Sequence, residues 1–537
     1  MKNQFSRRKF IKSGVYVTAA TGLTSTLGCG GDIPTIHSIK RAAVIGSGFG
    51  GSVTALRLGQ AGISTALIER GQRWTYNGPD SYPTLLSMSQ GDGRTTWLGD
   101  FDAPSGQIPV NRHAGMLERI EGDTVDSVVG AGLGGGSLVY GGVLLQPREE
   151  IFTDMFPYIS YDKMASDYYP KVLGKVSGGP IPDDILATPF YKSKQAFIQN
   201  ATSAGMTVVR SDVGFNWNII RKELSGELPY AASIGEYVFS CNSGAKNTLD
   251  KNYIAEAEAT GNVTVNTLHN VKSITQLGGK GHHGGKKGHH GRQAPYIIHC
   301  EVIDVEGNVV MNHIIACEYL FMAAGSLNTT KLLLKAKALG DLKGINDAIG
   351  TNWAANGDEL MARIGVTSDL GPVQGGPPSI AAWDFNNSIK PVGFMHSPAN
   401  SAPGQPPTQL QMAMCKPDQP GTLSYLKDSD KVFINWPMAE NGYARQAHME
   451  SLQKIAAFSG GMPLPDLALG RPTMWHPLGG ATMGEATDIE TGEVFGQPNL
   501  FVMDGALMPG ATAAANPSLT IAANAERIME NLIPRIA

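Results

Sequence analysis

From residue 41 onward the chain alternates short, wholly apolar runs with helix-spaced apolar positions, as expected of a parallel sheet flanked by helices. Ala42–Ile45 reads as a buried strand, and Val53, Leu56, Leu58 and Ala61 lay an apolar face along a helix that Gly62 stops. A second run, Thr65–Ile68, ends on Glu69. Further on, Asn252–Ala259 reads as helix and Val263–Leu268 as strand, leading through His269 and Val271 into a hairpin. Its arms are Tyr296–Val305 and Val309–Ala316, joined by Glu306-Gly307-Asn308. Tyr319–Ala323 reads as another buried strand, and Ala324-Gly325-Ser326 leads from it into a helix over Thr329–Leu339. Gln409–Met414, Lys431–Trp436 and Asn499–Met503 are strand-like, and a final helix is expected over Leu519–Leu532. The pattern predicts an α/β chain.

Between the first strand and helix stand Gly46, Gly48 and Gly51 in G-x-G-x-x-G spacing. Gly46 permits the tight turn, Gly48 leaves room for a pyrophosphate at the helix N-terminus, and Gly51 lets helix and strand pack closely. Glu69, at the end of the second strand, is placed to accept hydrogen bonds from a ribose 2′-OH. Strand, helix, second strand and acid in this order predict a dinucleotide site, and the acid favours FAD or NAD over NADP. Seven of the thirteen residues Gly130–Gly142 are glycine, with Leu133, Leu138 and Val139 interleaved as anchors. Such a stretch reads as backbone laid along a flat or anionic ligand.

A length of 537 residues calls for two or three domains, and a net charge of −4 leaves no electrostatic footprint for nucleic acid. Changes in composition divide the chain into 1–36, a leader and linker; 37–150, 230–350 and 470–537, on the cofactor side; and 151–229 and 351–469, on the substrate side. Ser6-Arg7-Arg8-Lys9-Phe10-Ile11-Lys12 matches a twin-arginine export signal, which predicts a periplasmic or extracellular protein handled by that export machinery. Cys29 after Leu27-Gly28 is a candidate for acylation and hence for lipid anchoring or peripheral membrane contact. No later apolar run is long enough to span a bilayer. The low-complexity insert between Leu277 and Arg292 carries His282, His283, His289 and His290, but glycine makes ordering them costly. It reads as a hairpin tip and no metal is assigned. The other four cysteines have no paired spacing.

Toward the C-terminus, Pro477 holds His476 in a stiff frame followed by Gly479 and Gly480. Asn516 is likewise fixed by Pro517, just before the final helix. With a flavin between these segments, a neutral histidine suits removal of a carbinol proton as hydride leaves carbon. An asparagine amide suits orientation of the substrate oxygen. The bland alternatives are a structural histidine and a helix N-cap.

GSGFGG with Glu69, GLGGGSLVYGG (132–142), NSGAKNTLDKNY (242–253), AAGSLNTTKLL (323–333), NWAANG (352–357), HPLGG and MDGALMPG…NPSLTI follow one another in the order of a known family. The ensemble resembles the glucose–methanol–choline (GMC) flavoprotein oxidoreductases, and within them the bacterial cholesterol oxidases with non-covalent FAD. The resemblance implies a Rossmann-type FAD domain built from discontinuous segments and a substrate domain with a six-stranded mixed or antiparallel sheet over the flavin. It matches His476 and Asn516 to the active-site pair, and Gly46, Gly48, Gly51 and Glu69 to the ADP-binding fingerprint. It also matches Gly136, Gly141 and Gly142 to the flavin-flanking loop, Val271 to a backbone contact with adenine, and Asp504 with Gly505 to the segment along the isoalloxazine and ribityl chain.

The resemblance further implies an FAD-dependent oxidoreductase that takes hydride from a small-molecule CH–OH donor, a sterol or another alcohol, and passes electrons to O2 or another acceptor. Three departures stand out. Where the family's isomerase glutamate is expected, this chain has Met395 or His396; Tyr140 replaces an asparagine; and the span from Asp504 to Asn516 is one residue longer. The isomerase step is therefore not expected. The competing reading is an exported flavoprotein that binds a ligand or partner without turnover.

Overall fold

The computed structural model describes residues 33–99, 101–103, 106–277, 296–401, 404–465 and 472–537. The twin-arginine stretch, Cys29, residues 278–292 of the insert and the 469/470 boundary fall at or outside the limits of these segments. The chain opens with β1 (Thr35–Ile45), α1 (Phe49–Gln60) and β2 (Thr65–Ile68). There follow α2 (Lys192–Ser203), β3 (Thr207–Arg210), β4 (Val263–Asn266), β5 (His269–Gln276), β6 (Tyr296–Ile303), β7 (Val309–Met322) and α3 (Ser326–Leu339). Next come β8 (Glu359–Val366), β9 (Ile380–Asp384), β10 (Val392–Ser397), β11 (Thr408–Met414), α4 (Gly442–Ser459) and β12 (Gly460–Leu464). The chain closes with β13 (Leu500–Val502) and α5 (Ser518–Ile536). Among the described residues no helix is long and apolar enough to cross a membrane.

The first sheet runs β4-β2-β1-β7-β6-β5, with β13 beside β7 beyond the end of β6. Its β4, β2, β1, β7 and β13 are parallel, and β6 pairs antiparallel with both β7 and β5. The central runs Ala42–Ile45 and Thr65–Ile68 are buried throughout, as strands covered on both faces must be. Helix α1 lies against α5 and is tied to it by an ion pair from Arg57 to the buried Glu526 at 2.6 Å. The second sheet, β12-β8-β11-β10-β9-β3, is antiparallel throughout. The predicted α/β class with a second, antiparallel sheet is what the chain adopts.

Two differences from the expected elements are instructive. The hairpin arm Val309–Ala316 and the buried strand Tyr319–Ala323 are one strand, because β1 extends back to Thr35 and pairs with β7 from Thr35↔Asn312 to Ile45↔Met322. The first half of β1 is largely exposed, so apolar content marks only its buried half. A short helix outside the expected elements, Leu85–Ser89, is opened by the N-cap Thr84 with a capping box. In addition, Phe152, Phe156, Met164, Tyr168, Tyr169, Val172 and Val176 pack into the core of the first sheet, although they lie in the stretch assigned to the substrate side.

Candidate active site

Three glycine-bearing segments meet at the C-terminal ends of β1, β2 and β7. Gly46 has φ +99°, and a Cβ there would come within 2.1 Å of the Ala323 carbonyl oxygen. A Cβ at Gly51 would lie 2.0 Å from the Gly46 oxygen, so turn, helix and strand are in backbone contact. Gly48 differs: a Cβ there meets nothing within 4 Å, which leaves open space beside the N-terminus of α1 and its free N–H groups. Gly136 also faces open space, and a Cβ on its neighbour Gly135 would sit 2.7 Å from the Gly48 Cα. The two loops therefore touch backbone to backbone and flank one cradle.

Glu69 ties these loops together. Its Oε2 accepts from the Ser47 hydroxyl at 2.6 Å and the Ser47 N–H at 3.2 Å. Its Oε1 accepts from the N–H groups of Gly71 at 2.9 Å and Gly132 at 3.4 Å, and Ser47 Oγ in turn accepts from Gly134 N–H at 3.0 Å. A ribose hydroxyl reaching this carboxylate joins a formed network. The strand that bears Val271 arrives alongside: Leu268 N–H donates to Gly71 O at 3.0 Å and His269 N–H to Glu69 O at 2.9 Å. Val271 itself is half-buried, at a bulge in the β5–β6 ladder.

Asp504 follows β13. A Cβ at Gly50 would lie 1.7 Å from the Met503 oxygen, so the start of α1 rests directly on this strand end. Asp504 Oδ2 accepts from Gly325 N–H at 2.8 Å and Thr329 Oγ1 at 2.5 Å, and Oδ1 accepts from Ala506 N–H at 2.8 Å. Burial pushes its carboxyl up to about 6, against the pull of these donors. Gly505 O accepts from Gly479 N–H at 2.8 Å, which joins Asp504 to the histidine segment.

His476 is carried in by Thr473–Met474, which pairs in parallel with Asp126–Ser127 just ahead of the glycine-rich loop. Its Nδ1 lies 3.4 Å from Oδ1 of Asp358, whose side chain is 0% exposed against 22% for the histidine. Asp358 Oδ2 accepts from Trp475 N–H at 2.8 Å, so the acid holds the backbone just before the ring and sets its other oxygen beside Nδ1 without a hydrogen bond to it. Leu478 and Ala354 exchange N–H···O bonds of 2.8 and 2.9 Å, lacing HPLGG onto Asn352–Asp358. Two residues before Asp358, the buried Asn356 donates to Ala515 O at 2.7 Å and accepts from Thr512 N–H at 2.8 Å. One segment thus fixes both His476 and the approach to Asn516.

Asn516 Nδ2 donates to Val143 O at 2.8 Å and to Ser518 Oγ at 2.7 Å, and its Oδ1 accepts from Leu145 N–H at 3.2 Å. Both amide hydrogens are engaged by protein, and one of them together with the amide oxygen holds the strand that leaves Gly142. Gly142 has φ +78° and would place a Cβ 2.5 Å from the Phe215 ring, while a Cβ at Gly141 would reach Pro378 at 3.0 Å. Tyr140 stands edge-on to Phe49 at 5.5 Å and under Lys246 at 5.3 Å. Burial holds its phenol far above the usual range, so it is neutral.

The second sheet separates Met395 from His396. Met395 packs with Ala381, Trp383, Met414, Ala514 and Ala515, next to Asn516. His396 points to the opposite face, 5.3 Å from the Phe197 ring of α2. Although NWAANG stands out as a motif, sequence reasoning gives no role to its Asn356 or to the adjoining Asp358, and it misses Ser47 and Thr329. The Asn-Gly-Asp turn was the available signal.

A sequence model of the GMC oxidoreductase family matches residues 29–355, and its C-terminal counterpart matches 426–525. The chain belongs to this family of FAD-dependent oxidoreductases, and FAD is its cofactor. It is 24% identical to a cholesterol oxidase of Mycobacterium tuberculosis (strain ATCC 25618 / H37Rv) over 565 residues, covering 90% of this chain and 89% of that one. It is 25% identical to a cholesterol oxidase of Acinetobacter baumannii over 564 residues, covering 90% and 93%. The fold is similar to that of pyridoxine 4-oxidase from Mesorbium loti (TM-score 0.61, 16% identity, 91% and 98% coverage). It is also similar to a fungal aryl-alcohol oxidase (TM-score 0.59, 14% identity, 92% and 99% coverage). The cradle fits such a cofactor: the open space at Gly48 and Gly136, where a Cβ would meet nothing within 4 Å, is where a dinucleotide backbone would lie, and Glu69 would be the acceptor for a ribose hydroxyl.

Proposed function

We propose that the chain oxidises the CH–OH group of an apolar alcohol, a sterol or a molecule of similar character, with His476 as the base. The observation that carries this reading is the buried Asp358 behind Nδ1 of His476, which leaves Nε2 as the nitrogen for a substrate hydroxyl. FAD, when bound, supplies the hydride acceptor. Nε2 takes the hydroxyl proton, and Asp358 orients the ring and offsets the charge it gains. Asn516 acts as a positioning residue, since donation to substrate requires giving up the Val143 or Ser518 bond. The wall beside it, with Trp383, Met395 and Met414, offers apolar contact, in keeping with a lipid-like carbinol.

The cholesterol oxidases among its relatives support the sterol class. The test is anaerobic titration of the yellow protein with sterols, aromatic alcohols and sugars. Bleaching of the flavin by an apolar secondary or primary alcohol is expected; binding with no bleaching by any of the panel would favour the silent, ligand-binding reading. Regeneration of colour on admitting O2 distinguishes an oxidase from a dehydrogenase. Export by the twin-arginine route is part of this proposal and rests on Ser6–Lys12. Retention of an Arg7→Lys/Arg8→Lys variant inside the cell, with the unaltered chain outside the cytoplasm, is the expected result.

A further inference from the structure

On the face of the second sheet away from Asn516, under α2 and α4, lies a group of buried polar side chains that the reaction does not use. Arg363 of β8 stands opposite Gln409 of β11, and Gln411 of β11 stands opposite His396 of β10. Gln409 and Gln411 are two apart on one strand, so these four side chains share one face. Lys194 of α2 closes the group. All five are 0% exposed.

Their bonding is incomplete in a particular way. Arg363 donates to the Ser459 hydroxyl and to Gln409 Oε1, and Lys194 Nζ donates to Pro377 O at 2.8 Å. All these acceptors are neutral, and neither cation forms an ion pair among the described residues. Glu359, on the same face of β8, is taken by Arg445 at 2.9 Å and His448 at 3.3 Å. His396 Nε2 meets Ser193 Oγ at 2.9 Å. Arg363 Nε, His396 Nδ1 and both amide atoms of Gln411 have no partner. Burial drives the Lys194 ammonium well below its ordinary range and the Arg363 guanidinium down to about 10. His396 is pushed down by burial and by the charges of Lys194 and Arg363. A guanidinium and unfilled donors sealed from water, with no carboxylate to meet them, are unfavourable as they stand.

We propose that this group of side chains is an internal anion site, holding one monatomic anion of the chloride class between Arg363 and the Gln411 amide, beside Lys194. A single negative charge matches the one group certain to stay cationic, and Arg363 Nε and Gln411 Nε2 are buried donors without a partner. Full enclosure selects a small inorganic ion over an organic acid. The ion braces β8, β10 and β11 from behind, and β10 and β11 also carry Met395 and Met414 of the apolar wall.

The holoenzyme is purified without halide and crystallised with sodium bromide, and anomalous diffraction is collected at the bromine edge. The expected result is a bromide peak between Arg363 and Gln411; no bromide between them, with adventitious bromide only on the surface, overturns the proposal. In solution, Tm in sodium chloride is expected to exceed that in sodium gluconate at equal ionic strength by about 2 °C or more. Gln411→Met and Arg363→Met are each expected to abolish that difference. An undiminished difference in a folded variant overturns the assignment, and the diffraction result stands if Arg363→Met does not fold.

Discussion

Oδ1 of Asp358 lies 3.4 Å from Nδ1 of His476, while the other oxygen of the same carboxylate accepts from the N–H of Trp475. The acid therefore fixes the backbone that presents the ring and places a carboxylate beside Nδ1. Replacing Asp358 with Asn keeps the size and the acceptor but removes the charge. Turnover is expected to fall about 10- to 100-fold with FAD still bound. Steady-state kinetics, with flavin content measured in parallel, checks this.

Removal of the imidazole should be more severe. His476→Ala is expected to lower the rate of flavin reduction by about 10²- to 10⁴-fold and to leave the flavin spectrum in place. Rapid-mixing reduction under argon is the measurement. Full turnover in this variant would remove the histidine from the reaction.

The glycines of the first turn separate by function. Gly48→Leu projects into open space, so the apo protein should melt as before while FAD affinity drops by at least about 100-fold. Gly46→Ala and Gly51→Ala drive a methyl into backbone 2.1 and 2.0 Å away and are expected to destabilise the fold by about 2–4 kcal/mol. Thermal melts with and without added FAD tell the two classes apart.

Asp504 sets a pH dependence. Its carboxyl is raised to about 6 by burial, so the folded state holds a proton between about pH 4 and 6 that the unfolded chain releases. Its share of apo-protein stability is thus greatest below the ordinary carboxylate range and falls as pH rises through about 6, by about 3 kcal/mol in all. Urea unfolding at pH 5 and pH 7.5 should show a difference that shrinks in Asp504→Asn.

His448 acts in a different window. Burial opposes its charge, but Cys415 and Glu359 raise it to about 10. The pair it forms with Glu359 stabilises fully below about pH 6.5 and is lost as pH climbs through about 10. His448→Gln should flatten the fall in stability between pH 7 and 10, as read by urea unfolding across that range.

Much of the cofactor side was legible because its signals are local. Apolar runs, a stopping glycine and the G-x-G-x-x-G spacing act over a few residues, and Thr65–Ile68 was placed to the residue. What sequence reasoning could not reach depends on distant partners. Asp358 and Trp475 are 117 positions apart, and Asn356 and Ala515 are 159 apart, so no window of sequence shows them to be joined. Met395 and His396 are neighbours with opposite fates because only the ladder fixes which alternate side chain faces the reaction site. The merging of two expected strands into Val309–Met322 likewise required its long partner.

The position of Leu500–Val502 beside Leu320–Met322 has a consequence for synthesis. The start of α1 rests on a strand end that is synthesised far later in the chain. A growing polypeptide on the ribosome lacks one wall of the cradle until Leu500–Asp504 has been made. Flavin loading therefore waits for that segment, and a truncation before Leu500 is expected to remove the prosthetic group along with the missing residues.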